Sequence, residues 1–467
     1  MGGSWTQMLS PTFLVHMVAK LLGQTQMGEA DGSLTITDNR TGRQYTIPIN
    51  RNTVKATDFR RITAAGLGAD PAEMVESGLK VFDRGYLNTA CMESNITFID
   101  GKRGYIQYRD YSIDHLFRNN DFEEVAHLVM FGKLPSPSEK MTFRRALAKG
   151  MEAPQNVLNV IRAFPKDSLT FPMILAGLSA YAGVDPGTEK THHEGRAYYL
   201  GNMKEVDAAI IRTLSALATV IAITYCHKRG REFTPADPNG SFVANTLLMM
   251  GFTKDGKADP EVEACFERLW ILYADHEMTN STAAVLHAAS TLTDPISSLV
   301  SGIVSAYGPL HGGAIDLAYK GFEEVGTVDN VSQLITDVKG KKQRLFGYGH
   351  RIYKTVDPRS KFIREMIAEK QELVDSNPLL RIAFEIDRIA NEDPYFTSRN
   401  LKANADLYGC FLYTALGFET DIIIAMACLS RTPGAMAHWR ESMQQGPMLW
   451  RPLQVFTGNV TAPSARS

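Results

Sequence analysis

The stretch Val206-Asp207-Ala208-Ala209-Ile210-Ile211-Arg212-Thr213-Leu214-Ser215-Ala216-Leu217-Ala218-Thr219-Val220-Ile221-Ala222-Ile223-Thr224-Tyr225-Cys226-His227 decides the fold. Between Leu214 and Tyr225 no residue carries a charge, so a helix through it is apolar all round and belongs inside a bundle. It falls short of the roughly 20 residues that a bilayer span needs. Outward from this core helix the same three-and-four spacing of apolar residues predicts helices over 122–131, 171–182, 242–251, 262–275 and 281–291. It continues over 295–307, 314–322, 331–338, 360–374, 379–390, 406–416 and 433–443, with Gly and Pro as punctuation. Only the N-terminal part departs from this rhythm. Residues 34–37 and 44–49 alternate apolar and polar around Asn39-Arg40-Thr41-Gly42, which predicts a β-hairpin, and 95–108 reads as a second short β region turning at Asp100-Gly101. The fold class is mainly α with a small N-terminal β-hairpin region, without an internal repeat.

The 467 residues are 44% apolar and 21% charged, an ordinary globular composition with length for more than one domain. A formal charge of −2 supplies no basic field for nucleic acid or an anionic membrane, so neither is expected as a partner. An anionic small substrate would instead need a local arginine cluster. Cys91, Cys226, Cys265, Cys410 and Cys428 are scattered without a CxxC pair, which argues against disulfides and a zinc knuckle. Residues 8–22 form an apolar run, but Lys20 is the sole Lys or Arg before Arg40, unlike an Arg-rich transit peptide. The expected compartment is intracellular, cytoplasmic by default, with mitochondrial import not excluded.

Four segments could carry chemistry. Asp275-His276-Glu277-Met278-Thr279-Asn280 inserts polar residues between two apolar helical stretches, a costly burial unless these groups bind a ligand or each other. Consecutive Asp275, His276 and Glu277 point in different directions on a helix, so no metal site is expected there. Gly308-Pro309-Leu310-His311-Gly312-Gly313 breaks one helix and leads into the next, leaving His311 near a helix N-terminus, where backbone donors disfavour imidazolium. A neutral imidazole there can donate to an oxygen that becomes negative, although a helix cap in a glycine-rich turn reads equally well. Gly347-Tyr348-Gly349-His350 lets a large ligand approach the backbone, with Arg351, Lys354 and Arg359 as charge for carboxylates or phosphates; the alternative is a solvated basic turn. Asp406 opens an apolar helical stretch and, taken alone, fits an ordinary N-cap.

In this order, and with Cys91-Met92-Glu93-Ser94-Asn95-Ile96-Thr97-Phe98-Ile99-Asp100-Gly101 ahead of them, the segments resemble those of the citrate synthase family over nearly the whole chain. The resemblance implies a two-domain helical fold that closes on its substrates and works as a dimer. The expected division is an N-terminal extension at 1–30, a large helical domain at 31–308 with 418–467, and a small helical domain at 309–417. It further implies that His311 stabilises the enol of an acyl thioester, Asp406 removes the α-proton, and His350 polarises the oxaloacetate carbonyl. His276, Arg359 and Arg431 match oxaloacetate ligands, and Arg451 matches an arginine donated by the neighbouring subunit. Leu345, Phe346, Gly347, Tyr348, Gly349 and Lys354 fall where the family holds the CoA nucleotide. Acyl-CoA is then a co-substrate, and no tightly bound cofactor is expected.

The chain departs from the family's pattern near the catalytic residues. Ala403-Asn404-Ala405-Asp406 stands where Pro-Asn-Val-Asp is common, Ile315-Asp316 follows the His-Gly-Gly-Ala segment, and Leu429-Ser430 precedes Arg431. Smaller or more apolar residues around an acyl pocket would admit a chain longer than acetyl, giving a 2-alkylcitrate. The alternatives are ordinary citrate formation, 2-methylcitrate formation from propionyl-CoA, and a homologue that binds CoA or a dicarboxylate without turnover.

Overall fold

The computed structural model describes residues 31–63, 78–193, 197–350, 352–446, 448–455 and 457. The expected extension at 1–30 and Arg351 lie outside the described residues. The chain divides into two compact units, Met1–Glu93 and Ser94–Ser467.

In the first unit, β1 (Gly32–Asp38) and β2 (Arg43–Ile49) pair antiparallel with Asp38 opposite Arg43. The turn is held by Asp38, whose carboxylate accepts from the Arg40 backbone N–H at 3.0 Å and from Arg40 Nε at 2.9 Å. This is the hairpin that the alternation predicts.

The second unit opens with β3 (Thr97–Asp100), β4 (Tyr105–Tyr108) and β5 (Tyr111–Ser112), a three-stranded antiparallel sheet. A run of helices follows: α1 (Ile113–Asn119), α2 (Phe122–Phe131), α3 (Pro137–Gly150), α4 (Gln155–Arg162), α5 (Thr170–Ala182), α6 (Pro186–His193), α7 (Met203–Arg229) and α8 (Phe242–Met250). Helices α2 and α3 begin with reciprocal capping boxes, Asp121 with Glu124 and Ser136 with Glu139, so their starts are written locally. The predicted core helix is α7. It runs longer than its uncharged middle and is buried without interruption from Thr213 to Cys226, with α3, α4, α5 and α8 packed around it.

A short hairpin, β6 (Thr253–Lys254) and β7 (Lys257–Ala258), leads to α9 (Pro260–Tyr273), α10 (Asn280–Ala289) and α11 (Pro295–Ala306). Then come α12 (Ala314–Val325), α13 (Val331–Lys339), α14 (Pro358–Ala368), α15 (Gln371–Ser376), α16 (Pro378–Glu392), α17 (Pro394–Thr397) and α18 (Ala405–Ala415), with contacts of α12 and α14 on α18 and of α12 and α13 on α16. The last helix, α19 (Thr420–Gln445), packs on α2, α7, α10 and α11.

Two expected helices came out differently. The one predicted over 360–374 is broken into α14 and α15. The one predicted from Pro433 is the second half of α19, which continues through the proline. Proline has no N–H for the helical ladder and normally ends a helix there. Here the next donor leaves the ladder too: the Gly434 N–H bonds the Ala274 carbonyl at 2.9 Å. A Cβ at Gly434 would lie 2.2 Å from Asp275 Oδ1, so only glycine allows α19 to approach so closely. Tertiary contact, invisible to local propensity, carries the helix across its break.

Candidate active site

That contact also builds the site. The segment between α9 and α10 directs most of its polar groups to separate partners, with Asp275 Oδ1 left buried and unpaired among the described residues. The Tyr108 hydroxyl donates to the Asp275 carbonyl at 3.0 Å, Asp275 Oδ2 accepts from the Glu277 N–H at 3.1 Å and faces His438 Nε2 at 3.3 Å, and Glu277 Oε1 accepts from the Ile99 N–H at 2.8 Å. The Arg431 side chain, on α19, donates to the Tyr273 carbonyl. Asp275, His276 and Glu277 therefore face separate partners.

His276 is buried, with Nε2 2.7 Å from the Tyr353 hydroxyl and its ring centroid 5.3 Å from that of His350. His350 ends a loop of two left-handed glycines, Gly347 (φ 81°) and Gly349 (φ 79°), a conformation that a side chain would strain. The loop pairs with the strand-like segment before α18: Gly349 N–H to Lys402 O at 2.8 Å, Asn404 N–H to Gly347 O at 3.0 Å, and Asn404 Nδ2 to Gly349 O at 3.1 Å. Its Tyr348 hydroxyl donates to the buried Asp387, which Tyr408 and Arg364 also hold at 2.9 Å.

Arg359, in the first turn of α14, is 5% exposed and makes a two-pronged pair with Asp357, at 3.0 and 2.7 Å. Asp357 Oδ2 also accepts from the Ala405 N–H at 3.1 Å, docking the start of α18 on the same pair. Asp406 occupies the first turn of α18 rather than the cap position, and its side chain lies outside the described residues.

These elements enclose one cavity of about 1010 Å³. His276, His311, Leu345, Phe346, Gly347, Tyr348, Gly349, His350, Arg359 and Arg431 all line it, so residues spread over more than 150 positions meet at one place. Lys354 and Arg451 do not line it and are exposed. Sequence reasoning missed Tyr353, Ser281, Asp357 and Asn404, which hold the lining residues. The Asp-Pro-Arg spacing was the one local signal available, since an Asp followed by Pro at N1 reads as a helix cap.

Hydrogen bonds assign the tautomers. His350 Nδ1 accepts from the Ile352 and Tyr353 backbone N–H groups at 3.1 and 3.4 Å, so a neutral ring carries its proton on Nε2. His311 is the opposite case. Its Nε2 accepts from the Ser281 N–H at 3.4 Å and lies 2.8 Å from the Ser281 hydroxyl, which puts the proton on Nδ1. Both rings are kept neutral. Burial, helped by the Arg431 charge, pulls His311 down to about 4; burial, helped by Arg359, does the same for His350. His276 is also held well below the ordinary histidine value, by burial and by the Arg359 and Arg431 charges. Burial opposes ionisation of Asp357, but the Arg359 guanidinium more than offsets it and holds the carboxyl below its ordinary value.

The histidine shifts set a pH dependence. Unfolded histidine binds a proton below roughly 6.5, whereas folded His311 and His350 stay neutral down to about 4. The unfolded chain therefore binds more protons in that window, and stability falls as pH drops from 6.5 toward 4. Melting temperature measured through this range is expected to decline steadily; a rise between pH 6.5 and 5 would contradict neutral buried histidines.

A family model described as citrate synthase, C-terminal domain, matches residues 85–453 of the chain. The chain belongs to the citrate synthase family. Among its relatives, a citrate synthase-like protein of Aspergillus oryzae is 48% identical over 431 residues, covering 92% of this chain and 96% of that protein. An alkylcitrate synthase of a fungal species is 40% identical over 434 residues, covering 92% and 94% respectively. Among solved structures, the citrate synthase of Thermoplasma acidophilum in ternary complex with carboxymethyl coenzyme A and oxaloacetate aligns with a TM-score of 0.74 at 27% identity, covering 83% of this chain and 98% of that one. As a citrate synthase family member the chain is an enzyme of acyl-transfer condensation, and the family's donor is acyl-CoA.

Proposed function

We propose that this enzyme condenses oxaloacetate with an acyl-CoA whose chain is longer than acetyl, giving a 2-alkylcitrate and free CoA. The observation that carries the reading is a cavity whose lining combines two chemistries. Arg359, Arg431, His276 and His350 line it close to one another, and Val285, Leu299, Ile303, Ala306, Ile424 and Ala427 add apolar wall to the same cavity. Two arginines and neutral imidazoles suit a compact dianion carrying a ketone. Similarity to an alkylcitrate synthase over most of both chains supports the same donor class.

In this reading Asp406 takes a proton from the thioester α-carbon while His311 Nδ1–H donates to the thioester oxygen as it gains charge. A carboxylate is too weak a base to do this unaided, so enolate stabilisation must accompany proton removal. The α-carbon then bonds to the oxaloacetate carbonyl carbon, and His350 Nε2–H gives its proton to the oxygen that becomes the hydroxyl. Water cleaves the resulting thioester, releasing CoA. Each step is a proton transfer or a polar bond change, and none calls for a tightly bound cofactor. Closure of a small helical domain, 309–417, over the cleft would keep water from the enol. Lys354 at the surface would reach the CoA phosphates. Arg451, exposed and outside the lining of its own cavity, is available to the cavity of a second copy in a homodimer.

The test is the acyl-CoA profile. Purified enzyme with oxaloacetate and acetyl-, propionyl-, hexanoyl- or decanoyl-CoA is assayed for thiol release, and kcat/KM is expected to be highest for a donor longer than acetyl-CoA. A strong preference for acetyl-CoA would overturn the alkyl part of the reading, and absence of thiol release with every donor would overturn the whole.

A further inference from the structure

We propose that one face of α11 and one face of α19 form the acyl-chain channel, and that the small side chains of Ala306 and Ala427 determine which chain lengths enter it. The inference rests on the reading above and specifies where the donor's chain lies.

On α11, Leu299, Gly302, Ile303 and Ala306 line the cavity at intervals of three, one and three positions, which is one helix stripe, with Ser305 at its edge. On α19, Ile424, Ala427, Cys428 and Arg431 repeat that spacing, and the stripe continues to Thr432 and Ala435. The two helices pack on each other, so the stripes face a shared space. From Leu299 to Ala306, and from Ile424 to Arg431, each stripe covers eight residues, a rise of about 10 Å along the helix.

The channel starts beside the reacting thioester. The carbonyl of Ala306 accepts from the Gly313 N–H at 3.1 Å, and a Cβ on Gly312 would stand 2.7 Å from that carbonyl oxygen and 3.7 Å from Ile424 Cγ2. Ala306 and Ile424 thus flank the residue next to His311, while Leu299 lies two helical turns away. A chain whose thioester oxygen is held by His311 meets Ala306 first.

Helix α19 shows where the room is. Ile422 to Met426, Leu429 and Ser430 are buried, yet Ala427 and Cys428 between them retain accessible surface, and the space they see is the cavity. Burial pushes the Cys428 thiol up to about 12, so it stays protonated and acts as a small apolar wall. The floor is closed, because a Cβ at Gly302 would come within 2.6 Å of Val285 Cγ2. The polar, amide-bearing arm of CoA would need hydrogen-bond partners that the apolar members of these two stripes lack. A saturated hydrocarbon chain needs none and gains from losing water.

A hydrophobic pocket discriminates by about 10–200-fold per methylene, so a bulky side chain at the mouth has a large effect on long donors. The experiment compares kcat/KM for decanoyl-CoA and acetyl-CoA in the unaltered enzyme, Ala306→Leu and Ala427→Phe, with Val304→Leu on the exposed face of α11 as control. The decanoyl-to-acetyl ratio is expected to fall at least about 100-fold in both channel variants and to hold in the control. Should one channel variant fail to fold, the other carries the test from the opposite wall. An unchanged ratio in a folded channel variant, with the unaltered enzyme turning over decanoyl-CoA, would overturn the channel. An unaltered enzyme that turns over acetyl-CoA alone would instead overturn the proposed donor class, and the two failures are told apart by that first measurement.

Discussion

Replacement of His311 by alanine is expected to lower kcat by roughly 10²–10³ while leaving KM for oxaloacetate within a few-fold of its starting value, because the lost donor acts on charge that exists only on the way to the enol. The geometry sets this apart from a general loss of structure. Ser281 commits His311 Nε2 as an acceptor, burial keeps the ring neutral with its pKa at about 4, and the single remaining N–H is on Nδ1. A neutral donor is the right partner for an oxygen that becomes negative, since it holds the charge without first giving up its proton. His311 is also only half-buried, so its removal opens the cavity wall without hollowing the core. Steady-state kinetics together with a thermal melt would check this. A loss below tenfold in a normally folded variant would remove His311 from the enol-stabilising role.

Arg359→Leu is expected to damage both stability and binding, by separable routes. The Asp357 side chain is 0% exposed and its pair with Arg359 closes at 2.7 Å, so removing the guanidinium leaves a buried carboxylate without its counter-charge. Breaking such a pair costs about 3–5 kcal/mol. The strain reaches α18, because Asp357 Oδ2 also receives the Ala405 N–H. Adding Asp357→Asn removes the stranded charge, and the double variant is expected to regain much of the lost stability in a urea melt. It is not expected to regain oxaloacetate saturation, since the arginine facing the cavity is still missing. Equal rescue of stability and KM would mean that Arg359 serves structure alone.

Some of the architecture could be read directly because it is encoded locally. The β1–β2 hairpin follows from alternation and a turn, α2 from its capping box and apolar stripe, and α7 from an uncharged run that cannot face water. The continuous helix through Pro433 differs from the local expectation because the residues within a few positions point one way and a neighbour distant in the chain points the other. At Pro433 the deciding atom is the Ala274 carbonyl, about 160 positions upstream, which takes the Gly434 donor.

The chemistry available to this protein is legible from the residues alone: a helical core, three histidines in glycine-rich or polar breaks, and arginines able to hold an anion, in an order that resembles the citrate synthase family. Each residue alone still had an ordinary explanation as a cap, a turn or a solvated charge. Folding is what brings His276, His311, His350, Arg359 and Arg431 to one cavity, selects which nitrogen of His311 and His350 keeps its proton, and lines that cavity with two helix stripes bearing apolar surface. Those outcomes depend on hydrogen bonds and burial between residues far apart in the chain. Local sequence fixes what a side chain can do; packing fixes which state it is in and what it faces.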